Sequence, residues 1–305
     1  MKRHAVRTPA VPDPPSWLAE IDPRPAPPFL AMGTRGLGRG RWLTIGDTRQ
    51  LALKTTLLRA HRDQTTAALP DTEAAVRELA DAVAADVAAA TGTDVSAIAA
   101  AARVDAPNAL GVHASVPAGM VEAAARLVAE DLCLLVPREG GWVLGAACVC
   151  FPSHWRLSDK LGRPVAAIHA PVPHYADELA GRVDRFLDRL APGQGAWRRN
   201  WLVHTDDRLF APAPPPPPAP ALTADDAGER LWLRSERQTL RRLPVTGSIV
   251  FTIRTQQAPL AVVGSRPDLR AAMADAVESW SDDLIAYRGG HALRTPLLAW
   301  LRRPA

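Results

Sequence analysis

The decapeptide APAPPPPPAP at 211–220 limits most strongly what this chain can fold into, because each proline fixes its φ and lacks an amide hydrogen. Neither a helix nor a central strand can run through it, so it reads as a polyproline segment or loop between folded parts. A second Pro-rich stretch, punctuated by charge, fills residues 1–28 and reads as an extension that lies over a surface or stays loose. Residues 29–305, interrupted at 211–220, are expected to carry the fold. With 305 residues in all, 47% of them hydrophobic, the chain can bury a sizeable core.

Charge and cysteine content narrow the function classes. Of 36 basic residues only Lys2, Lys54 and Lys160 are lysine, and the arginines are interspersed with acids rather than gathered into a block. A formal charge of +4 therefore gives little support to nucleic-acid binding. Cys133, Cys148 and Cys150 are odd in number and contain no CxxC pair, which suits a reduced cytoplasmic setting and no structural zinc set. The basic start runs into prolines instead of an apolar segment, and no run approaches eighteen apolar residues, so neither export nor a membrane span is expected.

Periodicity predicts helices over 49–68, 72–91, 117–130, 175–190, 267–287 and 295–301, from apolar side chains recurring at helical spacing. Leu132–Val136 and Trp142–Phe151, joined by Gly140-Gly141, read as a hairpin. Further strands are expected at 166–168, 197–203, 231–238 and 248–255. Helices, then an antiparallel sheet interrupted by one helix, then helices again, is an α+β order. The glycines of MGTRGLGRGRW follow no apolar strand and precede no GK[ST], so they read as a turn rather than a phosphate loop.

The stretch from Cys148 to Phe210 concentrates histidine, tryptophan, proline and arginine, and reads as a site. At its centre Ile168-His169-Ala170-Pro171-Val172-Pro173 holds an imidazole ahead of two prolines that stiffen the backbone. No HExxH, GxSxG, dinucleotide fingerprint or P-loop occurs, so the motif-marked enzyme classes drop out. What remains is an imidazole with apolar and aromatic neighbours, which suits either a haem ligand or a satisfied core histidine. Spacing does not separate the two. Without CxxCH, any haem would be held noncovalently. Cys150 beside Phe151-Pro152 reads as a buried structural thiol. Alternation in Arg234-Ser235-Glu236-Arg237 sends Arg234 and Glu236 to one face and Ser235 and Arg237 to the other, as an ion pair or a binding group.

CFPSHWRLSDKLGRPVAAIHAPVPHY, the later RRNW, and LWLRSERQTLRRLP with SIVFTIRT resemble the haem-dependent oxidative N-demethylase family, over roughly residues 27–300. The resemblance implies a PAS-like α+β fold holding haem b, and a monooxygenase-type oxidoreductase. The implied reaction removes a methyl group from a small secondary amine such as dimethylamine, using dioxygen and releasing formaldehyde. Electrons would come from NADPH through a separate flavin and iron–sulfur reductase, and a tetrahydrofolate-binding partner could receive the formaldehyde. The alternative is a haem-binding PAS-like sensor without turnover.

Carried over by position, the resemblance implies His169 as the metal ligand, with His204 and then His174 as alternatives. Arg198, Arg199, Asn200 and Trp201 of RRNW, with Arg237, are the implied cofactor-binding residues, and Glu236 and Arg234 the implied catalytic ones. Glu236 is the expected acceptor for a substrate ammonium. His174, after HAPVP, departs from the small residue typical of the family.

Overall fold

The computed structural model describes residues 14–23, 32–38, 41–98, 116–214 and 222–303. Among these, seven strands form one antiparallel sheet in the order β1-β5-β6-β7-β3-β4-β2. They are β1 (Arg35–Gly36), β2 (Thr66–Ala68), β3 (Asp131–Arg138), β4 (Gly141–Cys148), β5 (Gly195–His204), β6 (Trp232–Arg242) and β7 (Ile249–Pro259). The expected hairpin is β3–β4, and its turn places Gly140 and Gly141 at φ of 86° and 126°, a region that side chains with a Cβ rarely enter. β5 and β6 are direct neighbours, paired from Gly195 opposite Arg241 to His204 opposite Trp232. The Pro-rich loop therefore joins two adjacent strands; Ala211 bridges to Ser153, while 215–220 fall outside the described residues.

One face of the sheet buries Leu132, Leu134, Val136, Ala146 and Val250 against α1 (Thr48–Ala60), α2 (Glu73–Thr91) and α3 (Val116–Ala125), through Leu58, Leu79, Val83 and Val121. Beyond the Leu233 and Ala258 end of the strands lie Leu269, Met273, Ile285 and Leu297, from the C-terminal helices. Trp17, Leu18 and Ile21 join that cluster from a 3₁₀ turn at Ser16–Glu20, so part of the Pro-rich stretch 1–28 is anchored in the core. Residues 1–13 and 24–28 of that stretch lie outside the described residues.

The opposite face buries Cys133, Leu135, Leu144, Ala147, Leu240 and Ile249 beneath a covering layer drawn from residues 157–190. That layer ends in α4 (Gly181–Arg189), whose Val183 and Leu187 point to the sheet. Among the described residues no helix is long and apolar enough to cross a membrane.

Four expected elements differ as follows. The helix over 49–68 ends at Ala60, and after one helical turn at Arg62–Thr65 the chain becomes β2, because Thr66 to Ala68 pair with the open edge of β4. The expected strand at 166–168 is a helical turn, Val165–Ile168, started by Pro164, whose missing amide suits a helix entry. The helix over 267–287 splits into α5 (Pro267–Glu278) and α6 (Asp282–Tyr287), since Ser281 caps the second by accepting from Leu284 N at 3.3 Å. The last helix, α7, starts earlier than expected and spans His291–Leu301.

Candidate functional site

The Val165–Ile168 turn ends on His169, and the turn's own geometry holds the imidazole. Nδ1 lies 2.9 Å from the Val165 carbonyl oxygen. A carbonyl only accepts, so Nδ1 carries the proton and Nε2 keeps its lone pair. The ring also stacks on Tyr175, with centroids 4.6 Å apart and planes 13° from parallel. Burial holds the imidazole pKa below its usual value, and the nearby charges of Lys160 and Arg198 add to that against the Val165 bond, which works the other way. At neutral pH the ring is therefore a neutral nitrogen donor with one lone pair, and among the described residues nothing hydrogen-bonds Nε2.

Strand alternation decides which motif residues share His169's side of the sheet. Opposite Arg198 on β6 is Gln238, opposite Asn200 is Glu236, and opposite Leu202 is Arg234, so these six lie on the face under the 157–190 layer. Within this row Glu236 is the hub. One of its oxygens accepts from Arg234 Nε at 3.1 Å and the other from Gln238 Nε2 at 3.1 Å, and its charge is felt by Arg198. Arg198 is half-buried, desolvation lowers its pKa, and its buried Nε has no hydrogen-bond partner among the described residues.

The remaining motif residues face the other way. Arg199 donates to Ser235 Oγ at 3.0 Å, to Gln256 Oε1 at 2.9 Å and to Glu20, while Arg237 donates to the Arg41 carbonyl and lies over the Trp197 ring. Trp201 packs with Trp280 and the C-terminal helices, with Arg288 above both rings. The expected cofactor set Arg198, Arg199, Asn200, Trp201 and Arg237 is thus divided, and only Arg198 and Asn200 stand on the side of His169. Consecutive strand residues cannot share a face.

Arg234 has a further assignment. Fully buried, it donates to the carbonyls of Phe151 and Leu209 as well as to Glu236, so it ties two loops to the sheet and fixes the carboxylate. Its contacts make it a positioning group.

The two alternative histidines sit in different surroundings. His204, at the end of β5, is buried, receives or gives a hydrogen bond to Ser153 Oγ at 3.1 Å, and lies 4.8 Å from the His154 ring. Burial, with Arg234 and His154 adjacent, pushes its pKa down to about 3. Its Nδ1 has no partner among the described residues. His174 is half-exposed at φ 61°, 3.5 Å from Asp283 of α6. It links the covering layer to the C-terminal helices rather than facing the polar row. Cys150 is buried, and a hydrogen bond with Cys148 followed by burial raises its pKa, which suits an inert structural thiol.

Sequence reasoning passed over Tyr175, Gln238 and Tyr287. Burial lifts the Tyr175 pKa to about 12, so the phenol stays protonated against His169. Tyr287 of α6 is near enough to Glu236 for that charge to help raise its pKa, after burial. Gln238 was visible only as the next same-face residue after Glu236.

These residues fit a haem. A neutral imidazole with one nitrogen uncommitted could coordinate an iron, a half-buried guanidinium whose buried Nε lacks a partner among the described residues suits a propionate, and Phe251 and Ile253 supply apolar surface on the same face. In a comparison with protein families, residues 35–298 match the description "Haem-dependent oxidative N-demethylase, alpha subunit-like". The chain belongs to that family.

Proposed function

We propose that this member of the haem-dependent oxidative N-demethylase alpha subunit-like family is the haem-holding subunit of an enzyme that oxidatively demethylates a small secondary amine, dimethylamine or a close analogue. The observation that carries the reading is His169, whose Nδ1–H is committed to Val165 while Nε2 is left as a neutral donor. His169 would hold haem b noncovalently, with Arg198 and Asn200 on the propionate side. Bound there, haem supplies the activation of dioxygen, with external electrons, that converts an N-methyl group into formaldehyde.

The protein's own contribution is positional. Val165 and Tyr175 set the orientation of the imidazole ring, and the 157–190 layer that carries it packs apolar side chains such as Leu157, Val165 and Leu187 against the sheet. Glu236, held by Arg234 and Gln238, accepts the N–H of the substrate ammonium and keeps its methyl group in place. The fold of residues 29–305 is read as PAS-like: an open antiparallel sheet with short helical segments closing one face. The electron source is read as NADPH through a separate flavin and iron–sulfur reductase, with a tetrahydrofolate-binding partner for the formaldehyde, all in the cytoplasm.

The test is formaldehyde release from dimethylamine by the hemin-loaded chain, with dioxygen and a chemical or enzymatic electron source. A haem spectrum with no formaldehyde from any small N-methylamine would favour a sensor; no haem spectrum at all would end both readings.

A further inference from the structure

α4 carries a basic face with no task in holding the sheet. Arg182, Arg185 and Arg189 follow one another at i, i+3 and i+7, which at about 100° per residue puts them on one stripe. All three are exposed, and with the half-buried Phe186 they line a shallow groove. Of the helix's acids, Asp184 lies about 100° or more round the helix from each of the three arginines, while Asp188, about 60° from Arg185 at the margin of the stripe, accepts from Trp142 Nε1 at 2.9 Å. Among the described residues no salt bridge engages Arg185 or Arg189.

We propose that this stripe docks an acidic electron-carrier protein serving the site beneath it. Charge complementarity selects the partner's sign: Arg185 and Arg189, exposed and in no salt bridge among the described residues, stand on a chain of net charge +4 and attract a carboxylate-rich surface. A half-buried aromatic ring among arginines is the composition of an interface centre rather than of an ordinary solvated helix face. Its place in the fold selects the kind of partner. The chain passes from His169 to Tyr175, stacked on it, through the turn Tyr175–Ala180, and directly into α4. A protein seated on Arg182, Phe186 and Arg189 therefore rests on the layer that holds the candidate haem ligand. The family description, alpha subunit-like, also implies companion chains. That the partner carries electrons rests on the demethylase reading; that an acidic protein docks here does not.

The experiment uses the full-length, hemin-loaded chain and a reduced plant-type [2Fe–2S] ferredoxin, an acidic one-electron carrier, as the probe. Each electron passes from the reduced cluster to ferric haem, oxidising the first and giving ferrous haem, and stopped-flow absorbance reads the rate. For R182E/R185E/R189E the second-order rate constant at low salt is expected to fall about tenfold or more and to lose its decline with salt. Reduction by dithionite is expected to stay within about twofold of wild type, and R182K/R185K/R189K, which keeps the charge, is expected to stay near the wild-type ferredoxin rate. Equal rates and salt slopes in the wild type and the Glu variant would overturn the proposal. Should the chain take up no haem, the demethylase reading fails by itself. Calorimetric titration with the ferredoxin then decides the surface: binding lost in the Glu variant upholds it, and a wild type that binds no ferredoxin overturns it.

Discussion

His169 donates its Nδ1–H to the carbonyl oxygen of Val165, four residues earlier, at 2.9 Å, so one short helical turn sets both the tautomer and the tilt of the imidazole. Tyr175 closes the other side of the ring by stacking. The arrangement leaves one nitrogen, Nε2, to coordinate.

The ligand assignment is tested by colour. His169→Ala, reconstituted with hemin, is expected to lose or strongly shift the Soret band, and added imidazole is expected to restore much of it. His204→Ala and His174→Ala are expected to keep the wild-type band. A normal spectrum in His169→Ala would move the ligand elsewhere.

Glu236 is buried against Arg234 and Gln238 without a pairing that uses up both oxygens' capacity, which leaves it able to meet an ammonium. Glu236→Gln is expected to raise the amine KM about tenfold, equivalent to roughly 1.4 kcal/mol, with the haem band unchanged. An unaltered KM in steady-state formaldehyde assays rules this role out.

Lys54 is fully buried in α1, and its Nζ donates to the carbonyls of Ala125, Val128 and Glu130 at 2.6, 2.9 and 2.6 Å, gathering the chain between α3 and β3. Lys54→Met keeps the apolar stem but leaves three carbonyls without a donor. Unfolding stability is expected to fall by roughly 2–4 kcal/mol. The check is a urea midpoint that drops at constant slope.

His204 makes the fold acid-sensitive. Its folded pKa, about 3, lies below the ordinary value of 6.5, so between those values the unfolded chain binds the extra proton. The His204 contribution to stability is present above about pH 6.5 and is lost as the pH falls toward 3. Asp131 works in the opposite sense, because burial lifts its folded pKa to about 6, and its contribution falls as the pH rises from about 4 to 6. The informative quantity is therefore the difference between wild type and His204→Phe. The variant's melting temperature is expected to decline less steeply between pH 6.5 and 4, and parallel curves would refute the account.

Much of the fold was legible because periodicity is local. Leu79, Val83 and Val87 mark the buried side of α2, and Gly140-Gly141 marks the β3–β4 turn, since each signal lies within a few residues of the structure it dictates. The break at Ser279–Ser281 was not legible, as Trp280 and Leu284 continue the helical stripe while the chain turns to cap α6. Neither was β2, whose extended shape is imposed by the edge of β4, some eighty residues away in sequence.

The same division runs through the site. The residues alone marked His169 as stiffly held and separated Arg234 and Glu236 from Ser235 and Arg237, because prolines fix φ and strands alternate. Only the tertiary structure chose among the arginines. The pairing of β5 with β6, and the side of the sheet on which the 157–190 layer settles, put Arg198 with His169 and turned Arg199 toward Glu20. Register and layer packing join residues distant in sequence through long-range contacts, and no local pattern encodes them.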